Sequence, residues 1–176
     1  KEEAFLRELS RIHGLQGRAV GNLVVGGSTE TIKAKIDIQD IQLLARYDRI
    51  PYSVTIDRGE VSFDGKRLGV RNLTGKVGNS SFSEVAARIG FGREPSLEVF
   101  SGRSILSLEE IYPWLSSYES PQKAFKNFKS VKGRLSLSDM RLTGPLKNPE
   151  KWDFDTTGEL KDLVVNTSHL PAPFSV

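Results

Sequence analysis

The chain has 176 residues, 38% of them hydrophobic and 27% charged, with a net charge of +3 and a pI near 9.2. That is enough apolar material for a packed fold and too much for a disordered chain, and the length predicts one domain or one large β unit. With no cysteine, a disulfide framework, a zinc ribbon and a thiol nucleophile are excluded together.

Residues 1–14 read as a helix. Ala4, Phe5, Leu6, Leu9 and Ile12 recur at helical spacing, Glu2 and Glu3 stand early and Arg11 late, and Gly14 ends it. The chain starts at Lys1 without Met, so an upstream part carrying any membrane anchor is expected to be missing.

From 15 to 106 the apolar period changes to two. Ile32, Ala34, Ile36 and Ile38 alternate with Lys33, Lys35, Asp37 and Gln39; Val54 and Ile56 alternate with Thr55 and Asp57. Val85, Ala87, Ile89 and Phe91 alternate with Glu84, Ala86, Arg88 and Gly90. Asp57-Arg58-Gly59 and Asp64-Gly65-Lys66 are predicted turns, and the whole is predicted to be a meander with one dry face.

Residues 107–129 are predicted to be a helical insertion. Ser107-Leu108-Glu109-Glu110 has the form of a capping box, and Pro113 is expected to limit or kink the helix that follows. A second short helix is expected to carry Ala124, Phe125 and Phe128. Strands resume over 130–176: Leu135 and Leu137 alternate with Arg134, Ser136 and Ser138, then Trp152, Phe154 and Thr156 with Asp153, Asp155 and Thr157, and Leu160, Leu163 and Val165 follow.

Two halves echo one another. Gly17-Arg18-Ala19 recurs as Gly133-Arg134-Leu135, Asp40-Ile41-Gln42-Leu43 as Asp162-Leu163-Val164-Val165, and Ile50 to Val54 near Pro171 to Val176. The near-constant offsets imply a unit of roughly 120 residues, the second copy truncated. The fold class is therefore mainly β: a long, curved, mostly antiparallel sheet, either an open groove or one layer of a sandwich.

The chemistry-bearing residues are sparse. Only His13 and His169 occur, neither in the setting of a nucleophile elbow, so no catalytic residue is assigned. Asp153 and Asp155 share the polar face at strand spacing and read as a solvated edge; no metal site and no cofactor is assigned. Glycine clusters lack the Gly-Lys-Ser/Thr ending of phosphate loops. The stretch from Lys123 to Arg134, with Phe125 and Phe128 between its cations, fits a basic helix face better than a nucleic-acid surface, and no nucleic-acid partner is expected.

Several segments resemble those of the AsmA-like proteins of Gram-negative bacteria. They are Leu15-Gln16-Gly17-Arg18, Asp57-Arg58-Gly59-Glu60-Val61, Leu73-Thr74-Gly75-Lys76-Val77, the run from Leu106 to Leu115, and Trp152-Asp153-Phe154-Asp155 leading to Gly158-Glu159-Leu160-Lys161-Asp162-Leu163. The resemblance implies a periplasmic segment of an inner-membrane-anchored protein of outer-membrane biogenesis, similar to repeating β-groove lipid-transfer proteins. It implies no enzymatic activity, a phospholipid or other membrane lipid as partner, and membrane contact through parts outside this sequence. On that expectation the lipid-facing residues are Ile32, Ala34, Ile36, Ile38, Val54, Ile56, Val85, Ala87, Ile89 and Phe91. A structural or adhesion repeat and a carbohydrate-binding sandwich are the alternatives.

Overall fold

The computed structural model describes residues 10–28, 31–48, 50–117, 126–167 and 174–175, the side chains of 27–34, 149 and 174–175 excepted. Alternation of β-branched and polar residues produces long strands: β1 (Ile12–Ser28), β2 (Thr31–Tyr47), β3 (Ser53–Phe63), β4 (Arg67–Val77), β5 (Ser80–Gly90) and β6 (Ser96–Ser107). Among the described residues one α-helix, α1 (Leu108–Leu115), precedes β7 (Phe128–Pro145), β8 (Asp153–Thr167) and the two-residue β9 (Phe174–Ser175). Every neighbouring pair is antiparallel and the spatial order is the sequence order, so the chain lays down one nine-stranded meander. Strands touch their sequence neighbours and the sheet stays open. The mainly β, antiparallel expectation is met, as a single sheet and not a sandwich among the described residues.

Hairpins are closed by local polar chemistry. At the β3–β4 turn the Asp64 carboxylate accepts the backbone N–H groups of Lys66 at 2.9 Å and Arg67 at 2.8 Å. Those bonds favour its charged form, and the Lys66 contact contributes most to holding its pKa below the ordinary aspartate value.

Asp57-Arg58-Gly59, expected to be a turn, lies inside β3. The glycine there serves a bulge. Between Arg58↔Thr74 and Glu60↔Arg71, the single residue Gly59 faces both Asn72 and Leu73. The same device recurs across the sheet. Ala19 faces Asp40 and Ile41, Gly102 faces Glu84 and Val85, Thr156 faces Asp139 and Met140, and Gly133 faces Asp162 and Leu163. In each case the first of the two residues is left-handed, with φ between 50° and 55°, and the second is apolar. Asn and Asp tolerate that conformation best among residues with a Cβ, which accounts for four of the five positions. A residue is thereby added to one strand, so apolar positions on that strand shift phase and still reach the same face. The Asp40–Asp162 echo is this bulge, which occurs in each of the hairpins β1–β2, β3–β4, β5–β6 and β7–β8.

Other expectations change. Ile12 and His13, placed in the N-terminal helix, open β1, while residues 1–9 lie outside the described ones. The capping box does not form: the Ser107 side chain makes no cap hydrogen bond to the helix backbone, and its hydroxyl donates to Glu109 at 3.2 Å. That bond and, above all, backbone hydrogen bonding at Glu109 hold the Glu109 pKa below its ordinary value. Glu110 turns instead to the β4–β5 turn and accepts the Asn79 N–H at 2.9 and 3.1 Å. Pro113 lies within α1 and does not end it. Phe128, expected in a second helix, begins β7, as do Lys129, Lys132 and Arg134 of the supposed basic helix face. Ala124, Phe125 and Lys123 lie outside the described residues. Trp152 precedes β8 and donates its indole N–H to the Pro145 carbonyl at 2.9 Å.

Candidate functional site: an apolar sheet face and its groove

Residues directly opposite in neighbouring strands share a face, so the register resolves the two faces of the sheet. One row runs Ile36, Phe63, Leu68, Ile89 and Leu97. The next runs Ile38, Val61, Val70, Ala87, Val99 and Leu142. Beyond the bulges a third runs Leu43, Ile56, Gly75, Phe82, Ser104 and Leu137. None of the three holds a charge. On the other face the row Asp37, Ser62, Gly69, Arg88, Glu98 and Thr143 is mostly polar.

The polar face is tied by exposed ion pairs, Lys35–Asp37 at 3.0 Å and Arg88–Glu98 at 3.4 Å among them. Such pairs contribute little each. Arg88 also lies 5.0 Å from the ring centre of Phe100, which stands two residues past Glu98 on β6.

Eight of the ten residues assigned from sequence fall in described positions. Ile36, Ile38, Val54, Ile56, Val85, Ala87 and Ile89 lie on the apolar face. Phe91, just past β5, packs edge-on against Phe63 with ring centres 6.4 Å apart. The side chains of Ile32 and Ala34 lie outside the described residues. Val85 reaches this face as the apolar member of its bulge, where a Cβ on Gly102 would stand 3.0 Å from its methyl.

This face is thinly covered. Among the described residues only Ile41, Phe63, Ala87 and Phe91 are buried apolar ones, and no described side chain is fully enclosed. α1 crosses one end of the sheet, held by the Tyr52 hydroxyl donating to the Glu110 carbonyl at 3.3 Å and the Tyr112 hydroxyl donating to the Phe128 carbonyl at 2.5 Å. Against it lies a groove of about 330 Å³. Phe82 and Leu106 form part of its floor, Ile111 and Trp114 of α1 one wall, and Leu146 and Trp152 another. Sequence reasoning left Trp114 and Trp152 out of the site; their position depends on where a loop folds back, which alternation does not report.

His13 pairs with Asp48 at 3.0 Å on the surface, and His169 lies outside the described residues. No group of three or more metal-ligating side chains occurs among the described residues, Asp153 and Asp155 included. No helix among them is long and apolar enough to cross a membrane. No family model, curated protein or solved structure matches the chain. The apolar face itself is a surface able to displace water from apolar chains over several strands.

Proposed function

We propose that this chain is a non-catalytic segment of a periplasmic, inner-membrane-anchored protein resembling the AsmA-like family, which serves outer-membrane biogenesis by shielding lipid acyl chains. The observation that carries this reading is the set of three uncharged cross-strand rows on one thinly covered face. A large apolar face left only half-covered marks a binding surface. Each methylene moved from water onto such a face contributes about 0.8 kcal/mol. Four strand spacings of about 4.8 Å span about 19 Å, roughly the reach of a sixteen-carbon chain laid across the strands.

A second reading is a structural or adhesion repeat, favoured by the recurrence of one bulge in four hairpins. The carbohydrate-binding sandwich loses its support, since the described strands form one sheet. A photoactivatable acyl probe discriminates. Placed at Ile36, Val54 or Ile89, a crosslinking side chain is expected to capture it; placed at Lys35, Thr55 or Arg88, on the opposite face, it is expected to capture little. Equal capture by both sets in folded protein favours the structural repeat and ends the lipid proposal.

A further inference from the structure

We infer that the groove beside α1 is a discrete seat for one acyl chain bearing an anionic head, namely a free fatty acid, with Lys147 as the group that holds the carboxylate. The inference rests on the acyl-shielding reading above and assigns it a place, a head-group chemistry and a residue.

Three observations carry it. The first is charge. Among the groove's lining residues Lys147 is the one ionisable side chain of fixed charge at neutral pH, and no carboxylate lines the groove beside it. Lys147 is exposed and forms no ion pair among the described residues. An apolar trough with one uncompensated cation complements an apolar chain with one negative end, and an ammonium donates readily to a carboxylate.

The second is size. A volume of about 330 Å³ stands at the lower end of the roughly 300–1,000 Å³ of small-ligand pockets. That is room for one chain. A two-chain phospholipid would leave its second chain outside, on the open sheet.

The third is rigidity. Both walls are tethered: α1 by Tyr52, Tyr112 and the Glu110–Asn79 bonds, and the Leu146–Trp152 side by the Leu146 N–H to the Pro95 carbonyl at 2.8 Å and by the Trp152 indole. A site whose walls are set beforehand loses less entropy on binding.

The chain's two tryptophans, Trp114 and Trp152, both line this groove, so its occupancy can be read by their fluorescence. We would titrate the whole protein with dibromostearic acid, whose bromines quench indole, and with dibromostearyl alcohol, the same chain with a neutral head. The expected result is quenching by both, with the acid about fivefold to tenfold tighter. In Lys147→Glu that preference is lost while alcohol binding is unchanged; Lys147→Gln lies between. Trp114→Phe and Trp152→Phe, which each leave one reporter, are both expected to remain quenchable.

Acid and alcohol binding alike, or an acid preference that survives Lys147→Glu, overturns the assignment of the anionic head and leaves the acyl-shielding function standing. Quenching by a dibrominated two-chain phospholipid but not by the acid overturns the fatty-acid identity. No quenching by any probe, with acyl crosslinking retained at Ile36 and Val54, overturns the groove as the seat. Silence in both experiments overturns this inference together with the function it rests on.

Discussion

The two faces of this sheet are built from the same strands and differ in what a single substitution can do to them. On the apolar face Ile56 stands between Leu43 and Gly75; one residue back, on the polar face, Thr55 stands between Leu44 and Lys76. Cross-strand apolar neighbours leave a charge at the half-buried position 56 unpaired, whereas a carboxylate at 55 gains the nearby ammonium of Lys76. Stability therefore resides on one side of each strand.

The largest effect should come from placing the same charge on either side. Ile56→Asp is expected to cost about 3 kcal/mol or to abolish soluble expression, and Thr55→Asp to stay within about 0.5 kcal/mol. Urea unfolding midpoints of the two variants measure the difference. Similar losses in both would mean that the sheet is buried on two sides, and the face assignment would be wrong.

A smaller effect separates the bulges from the edge. Gly59 has φ +159°, and a Cβ there would stand 2.6 Å from the Leu73 side chain and 3.2 Å from its Cα. Gly26, in the edge strand β1, has nothing within 4 Å of the same atom and no left-handed φ. Gly59→Ala is expected to destabilise by about 2 kcal/mol, through strain and crowding together. Gly26→Ala is expected to be neutral or slightly stabilising, because it removes freedom from the unfolded chain. Equal effects, measured by thermal melts at one pH, would remove the bulge as a structural element.

The bulges also explain what the sequence concealed. Alternation made Ile36, Ile38, Val54 and Ile56 legible as one face, because each pair lies on an uninterrupted stretch. It failed at Val70 and Leu73, and at Ile38 and Ile41, which are three apart and still share a face across a left-handed residue. Three-residue spacing resembles a helix, and a Gly flanked by charges resembles a turn, which is why Asp57-Arg58-Gly59 reads as a turn although it lies within β3. The helix was legible from Ile111 and Trp114, but its cap was not. Glu110 had two backbone partners to choose between, its own helix start and the Asn79 turn, and only the tertiary approach of β4–β5 decides. The groove was invisible for a related reason: Trp114, Leu146 and Trp152 meet through loops, whose path leaves no period in the sequence.

The smallest effect lies in the β3–β4 turn, at the edge of the comparison, where the Asp64 carboxylate adds two hydrogen bonds to the backbone bond from the Asp64 N–H to the Arg67 carbonyl at 3.2 Å. Asp64 accepts two backbone N–H groups, and its pKa is depressed chiefly by the bond from Lys66. A carboxylate depressed on folding adds stability above its unfolded pKa and loses it as the pH falls through the folded one. Asp64 is exposed, so solvent screening keeps the effect modest, about 1 kcal/mol for the two hydrogen bonds together. Asp64→Ala is accordingly expected to be less stable than the parent by about that much at neutral pH. As the solution is acidified through and below the ordinary aspartate range, the parent protonates and the gap should close from the parent's side. Paired urea titrations at neutral and acid pH measure it. A gap that stays constant as the pH falls would show that the ionised carboxylate is not what holds the turn, and that its shape comes from Gly65, at φ +85°, instead.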